Sequence, residues 1–454
     1  MSFTRRQILG GLVGLGVVGL GAGGARYWLG RSLDAKTHDY ELFAAPLDLE
    51  LVSGHVTPAW AYGGQAPGLE LRSRQGDWLR VRFINKLDEP TTIHWHGIRL
   101  PLEMDGVPYV SQLPVLPGEY FDYRFRTEDA GSFWYHPHLS SAEQLGRGLV
   151  GPLIVEEREP SGFRHERVLS LKTWHVDEEG AFTQFSVPRE AAREGTRGRL
   201  TTINGKPAPT LELPAGQVVR LRLLNLDNTV TYRLNMPGAE VRIYSLDGHP
   251  VAPRDLGKEY LLGPGMRIEL ALKVPAAGQE LPLRNGPLRL ATLKSVATEE
   301  AAGDWPPALP ANPVPEPDLE KAEILSFKFE WAATLTSVAG RPSNYWQING
   351  KAWDIQDKTC ADRPIATLKK NGHYIFELRN MAQYLHPIHL HGMAFKVIDS
   401  DRKAIIPYFT DTYLLGKNET ARIALVADNP GVWMFHCHVI DHMETGLMAA
   451  IEVA

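Results

Sequence analysis

Apolar residues alternate with arginines along two short segments of the chain, Trp78–Phe83 and Val219–Leu224. A period of two places every second side chain on one face, as in a β-strand with one buried face. The flanking Asn-Gly, Pro-Gly and Asp-Gly dipeptides are typical of tight turns. The pattern therefore predicts an all-β protein built from half-buried strands.

One block of sequence occurs three times. Each copy is a strand pattern that ends in asparagine, at Asn85, Asn225 and Asn380, and nine residues further on comes a tripeptide. The tripeptides are His94-Trp95-His96, Leu234-Asn235-Met236 and His389-Leu390-His391. A second block recurs 300 residues apart, as Gly131–His138 and Gly431–His438. The repeats predict three modules of one fold, of which the middle one lacks the histidines.

Modules of this size with short alternating strands are typical of Greek-key β-sandwiches. We predict three such domains, at residues 38–158, 164–300 and 320–454. Residues 301–319 are rich in proline and predict a stiff, exposed linker between the second and third domains. The middle domain, without paired histidines, is interpreted as a spacer.

The first 35 residues are set apart by their composition. Arg5 and Arg6 form a twin-arginine pair, followed by an uncharged, glycine-rich stretch that ends at Arg26. A membrane span needs about 20 strongly apolar residues, so an anchor is the weaker interpretation of this mildly apolar stretch. A disordered tail with two chance arginines is the other alternative. We interpret residues 1–35 as a signal for twin-arginine export, to the periplasm or otherwise out of the cytoplasm, with no stable membrane insertion after its removal.

Composition adds only broad limits. A chain of 454 residues with 43% hydrophobic and 22% charged residues fits a soluble globular protein. The formal net charge of -5 gives no reason to expect a nucleic-acid partner. We expect a monomer.

Ten of the sixteen histidines lie in four short segments. These segments contain His94 and His96, His136 and His138, His386, His389 and His391, and His436, His438 and His442. Residues i and i+2 of a strand face the same way, so each His-x-His pair points two imidazoles to one side. A lone buried histidine is usually a satisfied core residue, but eight in same-face pairs are hard to explain by packing. They predict a metal cluster between the first and third modules.

The ligand types narrow the choice of metal. Eight imidazoles are too many for one zinc ion, which takes four ligands. One thiolate with two imidazoles is the trigonal arrangement of electron-transfer copper, here Cys437 with His386 and His442. A disulfide with Cys360 is the structural alternative for Cys437. Cys437 faces away from His436 and His438, so this copper would lie on the other side of the strand from the cluster.

The four segments together resemble those of multicopper oxidases, over nearly the whole chain behind the targeting segment. The resemblance implies three cupredoxin-like domains and four copper ions. It implies type 1 copper at His386, Cys437 and His442, and type 2 copper at His94 and His389. For the two type 3 coppers it implies one set of His96, His136 and His438, and another of His138, His391 and His436. Every one of these positions has the residue type expected.

Three positions qualify the resemblance. Leu447 stands where many bacterial members have an axial methionine, which implies a three-coordinate type 1 copper with a raised potential. Met448 is adjacent but would face the other side of a strand. Asp105 resembles the acid near the type 2 copper, or it forms an Asp-Gly turn. Glu444 would assist proton delivery at the type 3 pair, or it is a solvated surface charge.

The resemblance leaves four functions to compare. The first is a laccase-like oxidase that takes single electrons from phenols or aromatic amines and reduces O2 to water. The second is a metallo-oxidase acting on Mn(II), Cu(I) or Fe(II), although nine scattered methionines disfavour a dedicated cuprous oxidase. A copper-free structural relative would lack ligands, and none is lacking. A two-domain copper nitrite reductase would lack the third module and the complete type 3 set.

Overall fold

A computed structural model describes residues 35–332 and 344–454, and this part of the chain is almost entirely β-structure. The predicted twin-arginine segment lies outside the described residues, apart from its last position. Residues Thr37–Ala454 belong to one compact unit. The strands fall into three successive pairs of sheets, which confirms the predicted fold class. The boundaries proposed for the three domains stay predictions.

The first pair of sheets has the orders β2-β1-β4-β6 and β3-β8-β7-β5. Its strands are β1 Thr37–Val52, β2 His55–Tyr62, β3 Leu71–Arg74, β4 Trp78–Asn85, β5 His94–His96, β6 Tyr120–Arg126, β7 Gly131–His136 and β8 Gly151–Glu156. A 3-10 turn covers Leu102–Met104, and the short helix α1 covers Ser141–Gly146.

The second pair has the orders β10-β9-β12-β17-β14-β15 and β11-β19-β18-β13-β16. Its strands are β9 His165–Trp174, β10 Leu200–Ile203, β11 Thr210–Pro214, β12 Val218–Asn225, β13 Tyr232–Asn235, β14 Glu240–Leu246, β15 His249–Asp255, β16 Tyr260–Leu262, β17 Arg267–Lys273, β18 Glu280–Asn285 and β19 Leu288–Val296. Helix α2 covers Pro188–Ala191.

The third pair has the orders β21-β20-β23-β28-β25-β26 and β22-β30-β29-β24-β27. Its strands are β20 Glu323–Trp331, β21 Trp346–Ile348, β22 Ala366–Leu368, β23 His373–Asn380, β24 His386–Leu390, β25 Phe395–Ser400, β26 Tyr408–Thr410, β27 Thr412–Leu415, β28 Thr420–Val426, β29 Gly431–Cys437 and β30 Met448–Val453. A 3-10 turn covers Cys360–Asp362, and helix α3 covers Ile440–Glu444.

The repeated asparagine has the same structural role in each module. Asn85, Asn225 and Asn380 end β4, β12 and β23, and each of these strands pairs in parallel with the first long strand of its module. Each side-chain amide donates to two backbone carbonyls and accepts the backbone N–H two residues later. Buried backbone groups need such partners, so one residue type closes the turn in all three copies.

Strand β12 differs from its sequence pattern. The alternation predicted a half-buried strand, and β4 has that form, but all eight residues of β12 are buried. Arg220 and Arg222 project from the second face into ion pairs rather than into solvent, because this face packs against the first module. Both guanidiniums bind the carboxylate of Glu269 on β17, and Ser132 Oγ of the first module donates to the same carboxylate at 2.6 Å.

The proline-rich stretch is fixed at several points, although most of it is exposed or half-buried. Leu309 is buried against the second module, and Pro306 O accepts the Tyr244 hydroxyl at 2.7 Å. The Asn312 amide donates to Ala130 O and Gly248 O, both at 2.9 Å. The linker therefore joins the first and second modules as well as the second and third.

The Glu269 ion cluster generates a stability prediction. Burial alone would raise the pKa of Glu269, but the charges of Arg220 and Arg222 outweigh it and lower the pKa to about 2. Glu269→Gln is expected to lower the free energy of unfolding at pH 7 by about 3–5 kcal/mol, because it leaves buried arginines short of a counter-charge. Chemical denaturation of both proteins measures the difference.

The pH dependence checks the cause. The stabilisation by a carboxylate of lowered pKa is complete above the unfolded-state value of 4.5 and disappears as the pH falls toward 2. The difference between wild type and Glu269→Gln should shrink over that range. Glu259→Gln, which breaks an exposed pair with Arg233, serves as the control and should cost less than about 1 kcal/mol. A cost for Glu269→Gln no larger than the control's would contradict the prediction.

Candidate metal centres

The paired histidines lie on two pairs of neighbouring strands or within two residues of the strand ends. In the first module β5 lies antiparallel to β7, with His94 opposite His136. In the third module β24 lies antiparallel to β29, with His389 opposite His436. Because residues i and i+2 share a face, each pair of strands presents its imidazoles on one surface.

The two surfaces meet face to face. The ring of His94 stacks on that of His391 with centroids 3.9 Å apart, and the ring of His96 stacks on that of His389 at 3.8 Å. Each stack therefore joins an imidazole of the first module to one of the third. All eight imidazoles of the four pairs are buried. The structure thus brings together the eight histidines that the sequence singled out.

Their potential ligand atoms fall into compact groups, with the atoms of each group within 4.8 Å of one another. The groups are His94, His96 and His389; His96, His136 and His438; His138, His391 and His436; and His94, Asp105 and His391. The second and third groups coincide with the two type 3 sets implied by the resemblance. The first contains both histidines of the implied type 2 set.

Hydrogen bonds fix the orientation of several rings. Nδ1 of His94, His136, His389 and His436 lies 2.8–2.9 Å from a backbone carbonyl. A carbonyl only accepts, so Nδ1 carries the proton in these rings and Nε2 keeps a lone pair. In the described part of the chain Nε2 of three of them, His94, His136 and His389, has no hydrogen-bond partner. These are the features of metal ligands held by a backbone contact.

His96 is oriented the other way round. Its Nε2 lies 3.2 Å from both Asp411 Oδ1 and Thr412 Oγ1, whereas its Nδ1 has no partner among the described residues. The carboxylate accepts the Nε2 proton, which leaves the lone pair on Nδ1. The nitrogen available for a metal is therefore Nδ1 in this ring.

Burial favours the neutral form of most of these imidazoles. Burial lowers the pKa of His136, His391, His436 and His438 well below the ordinary value, and the neighbouring imidazoles lower it further. The pKa of His138 falls to about 3 for the same reasons. Neutral imidazoles whose unpartnered nitrogens lie close together fit a transition-metal site. Ordinary core packing does not explain them, because it would leave these buried nitrogens without hydrogen bonds.

A separate cluster surrounds Cys437. Its Sγ lies 3.6 Å from Nδ1 of both His386 and His442, and those two nitrogens lie 3.1 Å apart. His442 Nε2 donates to Arg193 O at 2.9 Å, so its Nδ1 keeps the lone pair. All three side chains are fully buried. One sulfur and two imidazole nitrogens at one point fit an electron-transfer copper.

Leu447 is joined to this cluster through the backbone of Cys437. It is fully buried in the same hydrophobic core as Cys437, and its backbone carbonyl accepts the Cys437 N–H at 3.0 Å. Met448 belongs to a different apolar cluster, with Trp134 and Met443, as expected of the next residue along a strand. Cys360 and Cys437 are both free thiols, which excludes the disulfide.

Comparison with known proteins agrees with this geometry. Family models for multicopper oxidases match residues 48–160 and 332–454. A crystal structure of a multi-copper oxidase from Pseudomonas thermotolerans is 80% identical, with a TM-score of 0.89, and the match covers 93% of this chain and all of that one. The chain belongs to the multicopper oxidase family. It is therefore a copper-dependent oxidoreductase that uses O2 and a reducing substrate.

Two more distant relatives show the range of this family. Multicopper oxidase MmcO of Mycobacterium tuberculosis is 28% identical, and the match covers 93% of this chain and 88% of the relative. The multicopper oxidase from Campylobacter jejuni, described as a metallo-oxidase, is 25% identical with a TM-score of 0.78. That match covers 93% of this chain and 92% of the other.

In the described residues of this multicopper oxidase, no helix is long and apolar enough to cross a bilayer.

Asp105 lies at the edge of the imidazole cluster. Its Oδ2 accepts His391 Nδ1 at 2.9 Å, and its Oδ1 lies 3.2 Å from His94 Nδ1. It also precedes Gly106, which has a φ of +78° and passes so close to Ile93 O that a side chain would collide. Asp105 therefore both precedes a tight turn and contacts the imidazole cluster, so the two interpretations from the sequence apply together.

Glu444 is placed differently. It ends helix α3, and its carboxylate accepts the Ala142 N–H at 2.9 Å. Burial raises its pKa to about 7, and the charge of nearby Asp441 adds to the rise. The alternative interpretation of Glu444 as a solvated surface charge is thus wrong, because Glu444 is half-buried where α3 packs against α1.

The sequence did not single out Asp411, which connects all three modules of the multicopper oxidase. It accepts both terminal nitrogens of Arg267 from the middle module, lies beside His96 of the first module, and its backbone carbonyl accepts His389 Nδ1. No pairing or spacing marks Asp411, because its partners lie far away in sequence. The middle module is therefore more than a spacer, since it supplies the cation that holds this acid.

Asp247 lies in an Asp-Gly turn and has a φ of +48°. Its carboxylate is also buried, and it accepts the backbone N–H of Arg267 and the hydroxyl of Thr410. Burial raises the pKa of Asp247, whereas the charge of Arg267 keeps the pKa of Asp411 well below its ordinary value. Asp411 is accordingly the ionised partner of Arg267.

This network generates the second prediction. Asp411→Asn is expected to lower the free energy of unfolding by about 3–5 kcal/mol, because it leaves Arg267 buried without its main counter-charge. Thermal or chemical unfolding measures the loss. The control is Asp401→Asn, an exposed acid of the same module whose side chain accepts the Thr420 N–H and would still do so as asparagine. Equal stability of the two variants would refute the role given to Asp411.

Proposed function

We propose that this protein is a laccase-like oxidase with four copper ions. It takes single electrons from phenols or aromatic amines and uses four of them to reduce O2 to water. One observation supports this proposal above all. Two clusters of ligand atoms, one with a thiol and one with eight imidazoles, are joined through the short peptide His436-Cys437-His438.

The proposed ligands follow the groups of atoms. His386, Cys437 and His442 would hold the type 1 copper, with Leu447 non-coordinating, and His94 and His389 would hold the type 2 copper. The two type 3 coppers would take His96, His136 and His438, and His138, His391 and His436. Bound copper supplies reversible one-electron redox chemistry at the first site and O2 reduction at the others.

The protein itself connects the two clusters, orients the imidazole rings and excludes water from both clusters. Cys437 directs its sulfur to one side of β29, while His436 and His438 direct their rings to the other, so the backbone links the clusters covalently. The carbonyl contacts hold His94, His136, His389 and His436 in one tautomer before any metal arrives. Full burial of both clusters keeps solvent from reaching reactive species.

Asp105 and Glu444 are proposed to handle protons. Reduction of O2 to water consumes four protons, and Asp105 is a carboxylate in direct contact with two imidazoles of the cluster. Glu444, with a pKa near neutrality, is suited to exchange protons from its position at α3. Both carboxylates act on protons only.

A metallo-oxidase acting on Mn(II), Cu(I) or Fe(II) is the second candidate. An open cavity of about 510 Å³ lies beside the segment that covers His442, and Glu190 and Glu194 are among its lining residues. Carboxylates are suitable ligands for Mn(II). The relative from Campylobacter jejuni, described as a metallo-oxidase, favours the same alternative.

We further propose that the protein is exported by the twin-arginine route, to the periplasm or otherwise out of the cytoplasm, and works as a monomer. Arg5 and Arg6 followed by an uncharged stretch support this route. A net charge of -5 supports the expectation of no nucleic-acid partner.

The central test uses the copper-loaded protein. It should be blue, bind about four copper ions per chain, and consume O2 with a phenol, because a thiolate–copper bond absorbs strongly and the four ligand groups are complete. Cys437→Ser should lose the colour and one copper ion, and Cys360→Ser, the matched control, should keep both. Metal analysis, visible spectra and an oxygen electrode measure these results, with Mn(II) run beside the phenol to rank the donors. A colourless protein with full copper loading would overturn the proposal.

The proton role proposed for Asp105 can be tested separately. Asp105→Asn keeps the shape of the side chain but cannot carry a proton to the cluster, so O2 consumption should fall about a hundredfold or more. Copper content and the blue colour should persist. Glu103→Gln changes an exposed acid on the same 3-10 turn and should leave the rate unchanged. Normal O2 consumption by a fully loaded Asp105→Asn protein would remove Asp105 from the mechanism.

A further inference from the structure

The cluster around Cys437 has no direct contact with solvent. His386, Cys437 and His442 are each fully buried, and the outer nitrogen of His442 is already hydrogen-bonded to Arg193 O. A reducing substrate in solution therefore does not touch these side chains. Electrons must cross the residues that surround the cluster.

One of these residues is Trp346, which contacts both imidazoles. Its ring centroid lies 4.9 Å from that of His386 and 4.6 Å from that of His442. The indole is fully buried, and its Nε1 donates to Ala191 O at 2.9 Å, which fixes the ring. An extended π-system is thus held in place against the two nitrogen ligands proposed for the type 1 copper.

Two further rings continue from Trp346 to the surface. Trp331 lies edge-on to Trp346 with centroids 5.7 Å apart, and Tyr384 lies edge-on to it at 6.1 Å. Trp331 and Tyr384 are nearly parallel to each other, with an angle of 8° between their planes. Trp331 is 46% exposed and Tyr384 is half-buried. The three rings form an unbroken series of contacts from solvent to the cluster.

We propose that Trp331 is a docking point for planar aromatic electron donors, and that Trp331, Tyr384 and Trp346 provide electronic coupling from there to the type 1 site. This inference rests on the proposed function. A phenol stacked on Trp331 loses one electron and releases its hydroxyl proton to solvent, which leaves a phenoxyl radical. The electron would be accepted by the type 1 copper that His386, Cys437 and His442 would hold, and the rings themselves end unchanged.

The chemistry of this surface selects the donor. The Trp331 indole offers an apolar face on which an aromatic ring can stack. Met381, whose backbone N–H donates to Phe329 O on the same strand as Trp331, is 59% exposed. Compact inorganic donors have no planar face to stack. The cavity lined by Glu190 and Glu194 is instead polar and charged, so the two places should favour different donors.

The first experiment detects docking without turnover. The copper-loaded protein is fully reduced under argon, which keeps 1-naphthol from being oxidised, and its tryptophans carry 15N. The indole N–H resonance of Trp331 is identified by its loss in Trp331→Leu. Adding 1-naphthol should shift this resonance progressively and to saturation. The absence of any shift at concentrations that support turnover would overturn the docking point.

The second experiment measures electron entry. Under anaerobic conditions, stopped-flow spectroscopy follows the bleaching of the blue absorption by 1-naphthol and, separately, by ferrocyanide. Trp331→Leu should slow bleaching by 1-naphthol about tenfold relative to bleaching by ferrocyanide, the upper end of what losing one aromatic contact costs. Trp331→Phe, which keeps a ring, should retain most of the rate. Tyr120→Leu removes a 62% exposed tyrosine of the first module and should change neither rate.

The outcomes separate the two proposals. If the protein is blue and Trp331→Leu leaves the ratio of the 1-naphthol rate to the ferrocyanide rate unchanged, the aromatic route is refuted and the proposed oxidase function is not. An equal slowing for both donors counts as an unchanged ratio. Copper-loaded wild-type protein without the blue colour refutes the proposed function itself. A selective loss for 1-naphthol that is restored by phenylalanine supports the route.

Discussion

The structure depends on the burial of neutral imidazoles whose bare nitrogens face a common centre. A polar atom removed from water without a partner costs free energy, and several such atoms are collected here in one place. Backbone carbonyls satisfy the opposite nitrogen of many of these rings and so decide which atom stays bare. The arrangement is stable in full only when a metal supplies the missing partner. Folding and metal chemistry are therefore linked through the same atoms.

The sequence was sufficient for the fold class and for the composition of the clusters. Strand periodicity and the His-x-His pairs are local signals, since each is set by residues a few positions apart. The threefold repeat is recognisable because each copy keeps the same nine-residue spacing after its asparagine. The position of Cys437 between two histidines likewise predicted a metal site. These local patterns predict the three-dimensional arrangement because a strand fixes which side chains share a face.

What the sequence did not reveal depends on long-range contacts. Asp411 is important because Arg267 of another module binds it. No pattern of spacing in the sequence indicates this contact. The arginines of β12 have the pattern of a solvent-exposed face, yet they are buried because a second module lies against them. Glu444 is similar, since only the packing of α3 on α1 removes it from water. In each case burial of a charge was decided by a neighbour far away in sequence.

The stacking of His94 on His391 and of His96 on His389 has a consequence for biosynthesis. Half of the cluster is made well before the other half, because β5 and β7 belong to the first module and β24 and β29 to the third. A nascent polypeptide that has emerged only as far as the second module holds isolated pairs of imidazoles, with no opposing surface to complete a pocket. Metal capture in this architecture thus requires both outer modules, and one of them alone cannot hold the ion tightly.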